Sequence, residues 1–292
     1  MKTLIVIQRS KATKDLENTK VDATEILPPS GRLNDKMQED TIMKIKKFEF
    51  NMFPVNSYVL SDDSGEAVVI DPGCFYPEEK QMLKDYLSDN GLTLKHVLCT
   101  HLHLDHIFGN PFLFQEYGLR PEGGQQDEFW LDQASAMARS FGFLYEEKQP
   151  ALGRYICEGD IITFGNIRLK ALHVPGHSPG SYVFHCEEAA CLFAGDVLFY
   201  GSIGRADLKG GNFDELCEGI RTQLFTLPEA TRVYPGHGPS TSIGYEKKNN
   251  PFFRYTEKQK TEKQNIKITY YENRFIDRPS QRYSGSRPSY YA

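Results

Sequence analysis

The seven residues Thr100-His101-Leu102-His103-Leu104-Asp105-His106 set out three imidazoles and one carboxylate directly after the apolar run 95–99. A short apolar run that stops at such a polar cluster reads as a buried strand. On an extended segment His101 and His103, two apart, point to the same side. Asp105 and His106 follow where a strand end turning into a helix aims them at a neighbouring position. A single histidine is more often a hydrogen-bonded or surface group than a ligand. Four candidate ligands within six positions at a strand end reverse that reading, and the spacing predicts two adjacent metal positions.

The chain that carries this cluster has 292 residues, 39% hydrophobic and 25% charged, enough for one large domain or two small ones. No apolar run approaches the roughly 20 residues of a membrane span, and the run 4–7 is too short for the core of a secretory signal. Asp15, Glu17, Asp22 and Glu25 place acids where organelle transit peptides avoid them. A cytoplasmic location with no membrane partner is the expectation. The six cysteines form no C-x-x-C pair and read as small buried residues in a reducing compartment, with Cys186 and Cys191 flanking a hairpin turn where a disulfide is possible. A formal net charge of -5 gives no support to nucleic-acid binding.

Residues 1–42 are polar and read as a loosely ordered extension with one short strand at 4–7. Residues 43–254 read as the folded domain. Strands are predicted at 44–50, 55–60 and 67–70, a helix from Pro77 to about Gly91, and a strand at 95–99, a β-β-β-α-β opening. Helices follow at 112–117 and 127–141, the second as a lid or side wall. Strands come next at 161–164, 167–174, 182–186 and 191–194, then a helix capped by Asn212 and a last strand at 231–234. Two strand series each followed by helix predict a layered α/β domain. Residues 255–292 interleave basic and aromatic side chains and read as a disordered tail.

Three later motifs each place one more ligand type at a strand end. They are Val174-Pro175-Gly176-His177-Ser178-Pro179-Gly180, Ala194-Gly195-Asp196-Val197-Leu198-Phe199 and Val233-Tyr234-Pro235-Gly236-His237-Gly238-Pro239. Taken in order with His101-x-His103-x-Asp105-His106, this pattern closely resembles the metallo-β-lactamase-fold hydrolases, in particular their glyoxalase II-like branch. The resemblance spans about residues 43–254 and includes Asp71-Pro72-Gly73, Gly204-Arg205-Ala206-Asp207 and the closing Asn250-Pro251-Phe252-Phe253.

The resemblance implies an αββα sandwich of two mixed β-sheets flanked by helices, with the site at one edge. It implies two divalent metal ions, Zn first with Fe or Mn as alternatives. His101, His103 and His177 would bind one, and Asp105, His106 and His237 the other. Asp196 would bridge them and share with Asp105 a catalytic part. Asp71 would orient a metal-bound imidazole. Arg205 is a candidate for holding a substrate carboxylate, although pairing with Asp207 is the favoured role. The implied activity is hydrolysis of a small acyl thioester, of the S-(2-hydroxyacyl)glutathione type, by a hydroxide shared between the metals. The alternative is a persulfide dioxygenase with one Fe(II) on His101, His177 and Asp196.

Overall fold

The computed structural model describes residues 25–27 and 43–254. Expectations for the strand at 4–7, the rest of the N-terminal extension and the basic tail lie outside these residues. One described strand, β1 (Glu25–Leu27), falls inside the stretch read as an extension and pairs antiparallel with the edge of β2 (Met43–Phe50). A three-residue strand is too short to show a period in sequence.

The first sheet runs in chain order from β1 and β2 through β3 (Val55–Ser61), β4 (Glu66–Ile70), β5 (Thr93–Leu98) and β6 (Pro121–Gly123) to β7 (Arg154–Tyr155). Pairing is antiparallel from β1 to β4 and parallel from β4 to β7. Alternation along each strand sends residues to opposite faces. Tyr58, Leu60, Val68 and Ile70 enter the core between the sheets, whereas Val59, Ala67 and Val69 face helices. Those helices are α1 (Pro77–Asp89), through Leu83 and Leu87, and α3 (Asn110–Tyr117), through Leu113. Between β5 and α3 lies the single turn α2 (Leu104–Ile107). Helix α4 (Phe129–Ser140) follows β6 and buries Trp130, Leu131, Ala134 and Ala138.

The second sheet comprises β8 (Ile161–Phe164), β9 (Ile167–His173), β10 (Tyr182–Cys186), β11 (Cys191–Gly195), β14 (Arg232–Pro235) and β15 (Thr241–Ser242). Only β11 and β14 pair in parallel within it. Leu169, Ala171, Phe184, Phe193 and Tyr234 meet the first sheet in one core. The small hairpin β12 (Leu198–Phe199) and β13 (Ser202–Ile203) follows β11. Helix α5 (Phe213–Gly219) carries Leu216 close to Gly176, and a Cβ on Gly219 would stand 2.9 Å from Val174 at the end of the second sheet. Helix α6 (Ile243–Asn249) closes the described chain. The architecture is the expected α/β sandwich of two mixed sheets.

Two expectations change in detail. Five cysteines are buried, but Cys157 is exposed in the loop between β7 and β8; Cys186 and Cys191 stand opposite each other in register, yet both are free thiols. The helix expected from Asp127 begins at Phe129, because residues 125–127 form a tighter 3₁₀ turn whose last side chain points inward. Among the described residues no helix is long and apolar enough to cross a membrane.

Parallel pairing decides where the site forms. The adjacent strands β4 and β5 end together, and so do β11 and β14, which brings Asp71, His101, Asp196 and His237 to one edge. Cross-links between the sheets fix that edge: Tyr182 N–H donates to the Thr100 carbonyl (2.7 Å), Asn56 N–H to the Gly236 carbonyl (2.7 Å) and the Tyr58 hydroxyl to the Pro235 carbonyl (2.7 Å).

Candidate metal centre

The strand β5 ends at Leu98, with five residues between it and α2, and this stretch carries His101 and His103 to the edge. His177 arrives from the loop between β9 and β10. The three form a buried cluster: His103 Nδ1 lies 2.9 Å from His177 Nε2, which lies 3.2 Å from His101 Nε2. Asp105 and His106, in the first turn of α2, meet His237 from the loop after β14 in a second cluster. His237 Nε2 is 3.4 Å from Asp105 Oδ2, and His106 Nε2 is 3.7 Å from the same oxygen.

Asp196, the residue immediately after β11, stands between the clusters. Its Oδ2 faces His177 Nε2 at 3.6 Å, and its Oδ1 faces His106 Nε2 at 3.4 Å and His237 Nε2 at 3.6 Å. All seven residues named from the sequence thus come together. Solvent reaches the assembly from the second cluster, where the side chains of His237 and Asp105 are 28% and 22% exposed, while His106 and His177 are buried.

The far nitrogens of the rings show how each imidazole is aimed. His177 Nδ1–H donates to the Arg205 carbonyl (2.7 Å) and His237 Nδ1–H to the Pro54 carbonyl (3.1 Å). His106 Nδ1–H donates to Asp71 Oδ2 (3.0 Å). Thr100 Oγ1 also donates to Asp71 Oδ2 (2.7 Å) and so accepts from His101 Nδ1–H (3.1 Å), while Thr100 N–H donates to Asp71 Oδ1 (2.7 Å). The tautomers follow from these partners. They leave Nε2 of His101 and His177 as lone pairs directed into the site, and they aim Nε2 of His106 and His237 the same way, toward the carboxylates Asp105 and Asp196.

Electrostatics reinforce the division. Burial, and then the neighbouring imidazoles, hold His101 low, and burial with His177 pushes His103 down to about 3. His177 is also lowered, burial outweighing Asp196. Burial opposes ionisation of Asp105 and Asp196, yet His106 and His237 bring Asp105 to about 2 and Asp196 below the usual carboxylate range. The same two carboxylates overcome burial at His106 and His237 and raise both.

These residues suit cations. Facing lone pairs on His101 and His177 repel at 3.2 Å unless positive charge lies between them. His106 Nε2 and Asp196 Oδ1 are buried without a hydrogen-bond partner, a state that costs about 1–3 kcal/mol for each group in a protein interior. A Cβ on Gly236 would run into Asp196 Oδ1 and come 2.7 Å from His106 Cε1, so a glycine keeps that space open. A donor set of imidazoles and carboxylates fits Zn, Fe or Mn, and the His/Asp clusters suit a divalent-metal site.

Arg205 pairs bidentately with Asp207, Nε to Oδ1 and Nη2 to Oδ2, both at 2.7 Å, while its carbonyl serves His177. His96 hydrogen-bonds Glu122 (2.6 Å), and His173 bonds the Pro179 carbonyl (2.9 Å) and stacks on Tyr182; neither joins the site. Helix α4 forms a wall: Trp130 packs edge-on to His103 at 5.0 Å. Sequence reading missed Asn51, whose side-chain amide donates to the carbonyls of Gly73 (2.8 Å) and Asp105 (3.0 Å). It also missed Asp127, whose carboxylate accepts from Leu102, Ser178 and Gly180. An Asp before an apolar helix reads as a cap, and no local signal shows it reaching across 51 residues to Ser178.

Comparison with known proteins agrees with this geometry. The Metallo-beta-lactamase superfamily pattern matches residues 51–237. The hydroxyacylglutathione hydrolase GloC of Haemophilus influenzae is 35% identical over 211 residues, covering 72% of this chain and 98% of its own. The crystal structure of TTHA1623, in a di-iron-bound form, is 35% identical with a TM-score of 0.63, covering 70% of this chain and 98% of that one. ETHE1 from Myxococcus xanthus is 26% identical with a TM-score of 0.63, over 77% and 90% respectively. On fold, ligand clusters and sequence together, the chain belongs to the metallo-β-lactamase superfamily.

Proposed function

We propose that this protein is a binuclear metal-dependent hydrolase of small acyl thioesters, with Zn as its metal and Fe or Mn able to replace it. The observation that carries the reading is the placement of Asp196, one carboxylate oxygen toward each cluster. His101, His103 and His177 would hold one cation, Asp105, His106 and His237 the other, and Asp196 both. Bound there, the cations would supply Lewis acidity to a water nucleophile and to the thioester carbonyl.

The chain itself prepares that chemistry in three ways. Asp105 and Asp196 stay ionised at any physiological pH, so they bring negative charge without a proton to lose. Asp71 holds a proton of His106 on Nδ1, and the Arg205 and Pro54 carbonyls do the same for His177 and His237, so in each ring Nε2 is the atom offered to a cation. Trp130 and the buried first cluster close the inner side against bulk water, which leaves the exposed side of His237 and Asp105 for substrate. A thiolate is a weak enough base to leave without protonation, so no separate acid is needed. The 35% identity to GloC supports a glutathione thioester as the first substrate to try.

A second reading, a mononuclear iron persulfide dioxygenase, is favoured only by the likeness to ETHE1. An assay panel separates them. Release of thiol from S-lactoylglutathione without oxygen uptake is the expected result. Oxygen consumption with glutathione persulfide and no thioester cleavage would replace the hydrolase by the dioxygenase.

A further inference from the structure

We infer that Asp127, which is outside the ligand set, is a positioning residue that clamps together the two loops carrying His101, His103 and His177. This rests on the cation-site reading above and concerns how one half of that site keeps its shape. Asp127 is the last residue of the 3₁₀ turn Gln125–Asp127 and is fully buried. Its Oδ2 accepts the N–H of Leu102 (3.2 Å), the residue between His101 and His103, and the hydroxyl of Ser178 (2.6 Å), the residue after His177. Its Oδ1 accepts the N–H of Gly180 (2.6 Å). One carboxylate therefore bonds directly to both ligand-bearing loops.

The surroundings leave the carboxylate little freedom. Ser178 N–H donates to Ser181 Oγ (3.3 Å), and the two serine hydroxyls lie 2.8 Å apart, which keeps the Ser178 side chain turned toward Asp127. A Cβ on Gly180 would lie 2.8 Å from Asp127 Cγ, and one on Gly124 would collide with the Gly180 carbonyl, so the loops touch with no side chain between them. The clamp opposes a specific force. Nε2 of His101 and Nε2 of His177 face each other at 3.2 Å, and before a cation is bound these two lone pairs push the loops apart. The Tyr182–Thr100 backbone bond joins the loops on their far side. Asp127 joins them next to the ligands themselves. The second cluster is built on α2 and the loop after β14, and the Asp127 carboxylate hydrogen-bonds to neither.

Asp127→Asn tests this, because its amide would present a donor to groups that are themselves donors. His237→Ala leaves the first cluster as the complete set of imidazoles, and His103→Ala leaves the second. Cobalt(II) affinity, followed by its visible absorption, is measured in each background with and without Asp127→Asn. The clamp predicts a loss of about 10- to 100-fold in the His237→Ala background, the range typical of groups that orient metal ligands. It predicts no change in the His103→Ala background. Equal affinity with and without Asp127→Asn in the His237→Ala background would overturn the inference, and so would an equal loss in both backgrounds, which marks a general structural role. If Asp127→Asn does not fold, Ser178→Ala removes one bond of the clamp and must show a smaller loss with the same selectivity; a loss without selectivity overturns the clamp. A wild-type protein that binds a single ion overturns the two-cation reading instead, and the His237→Ala comparison still decides the clamp.

Discussion

Asp71→Asn changes one atom in the carboxylate beneath the site and should do two separable things. The native side chain is 1% exposed and accepts three hydrogen bonds, from Thr100 N–H, Thr100 Oγ1–H and His106 Nδ1–H. The asparagine oxygen can keep the first. Its amide nitrogen then faces the other two groups, and two hydrogen bonds to a charged acceptor are replaced by weaker neutral ones, a difference of about 1 kcal/mol each. The stability cost is therefore about 2 kcal/mol, a large share of the 5–15 kcal/mol that holds a typical domain together. The second effect is on chemistry. His106 must accept from the new amide at Nδ1, which moves its proton to Nε2, the atom that faces Asp105 and Asp196. Metal affinity at the second cluster should fall about 10- to 100-fold. Urea unfolding of the metal-free protein measures the first effect, and competition with a chromophoric chelator the second. Wild-type stability together with wild-type affinity would refute the hydrogen-bond assignment on which the tautomer argument stands.

Other perturbations follow from the same geometry. Gly236→Ala places a methyl group against Asp196 Oδ1 and His106, so metal content should drop while the circular dichroism stays native; full metal content would show the space is not needed. The pH dependence of the metal-free protein has a sign at each end. His103, brought down to about 3 from an ordinary 6.5, with His101 and His177 also lowered, must take up protons on unfolding, so stability falls as pH drops below 6.5 toward 3. His106 and His237 are raised, so their contribution is complete below 6.5 and is lost as pH rises through their folded values. Denaturation midpoints should therefore peak near pH 6.5 without metal, and a flat profile from 4 to 8 would contradict the assigned charge states.

Much of the site was legible because its residues cluster at strand ends, where period-2 runs stop and polar motifs begin. His101 through His106 announce two positions by spacing alone, and the strands that carry Asp71, Asp196 and His237 are apolar runs of ordinary length. What stayed hidden depends on distance along the chain. Asp127 bonds residues 25, 51 and 53 positions away, and Asn51 reaches Asp105 across 54. Strands of two or three residues, such as β6, β7 and β15, are too short to carry a period and exist because a neighbour offers an open edge. The role of Arg205 was open between substrate and Asp207, and the bidentate pair with Asp207 is what the structure contains.

Metal content of the purified wild-type chain and of Asp196→Ala, measured by mass spectrometry alongside turnover of S-lactoylglutathione, tests the central claim most directly. Two ions per wild-type chain, and loss of metal and turnover together in Asp196→Ala, are the predicted results. One iron per wild-type chain, or an Asp196→Ala variant that keeps both its metal and its activity, would contradict the account.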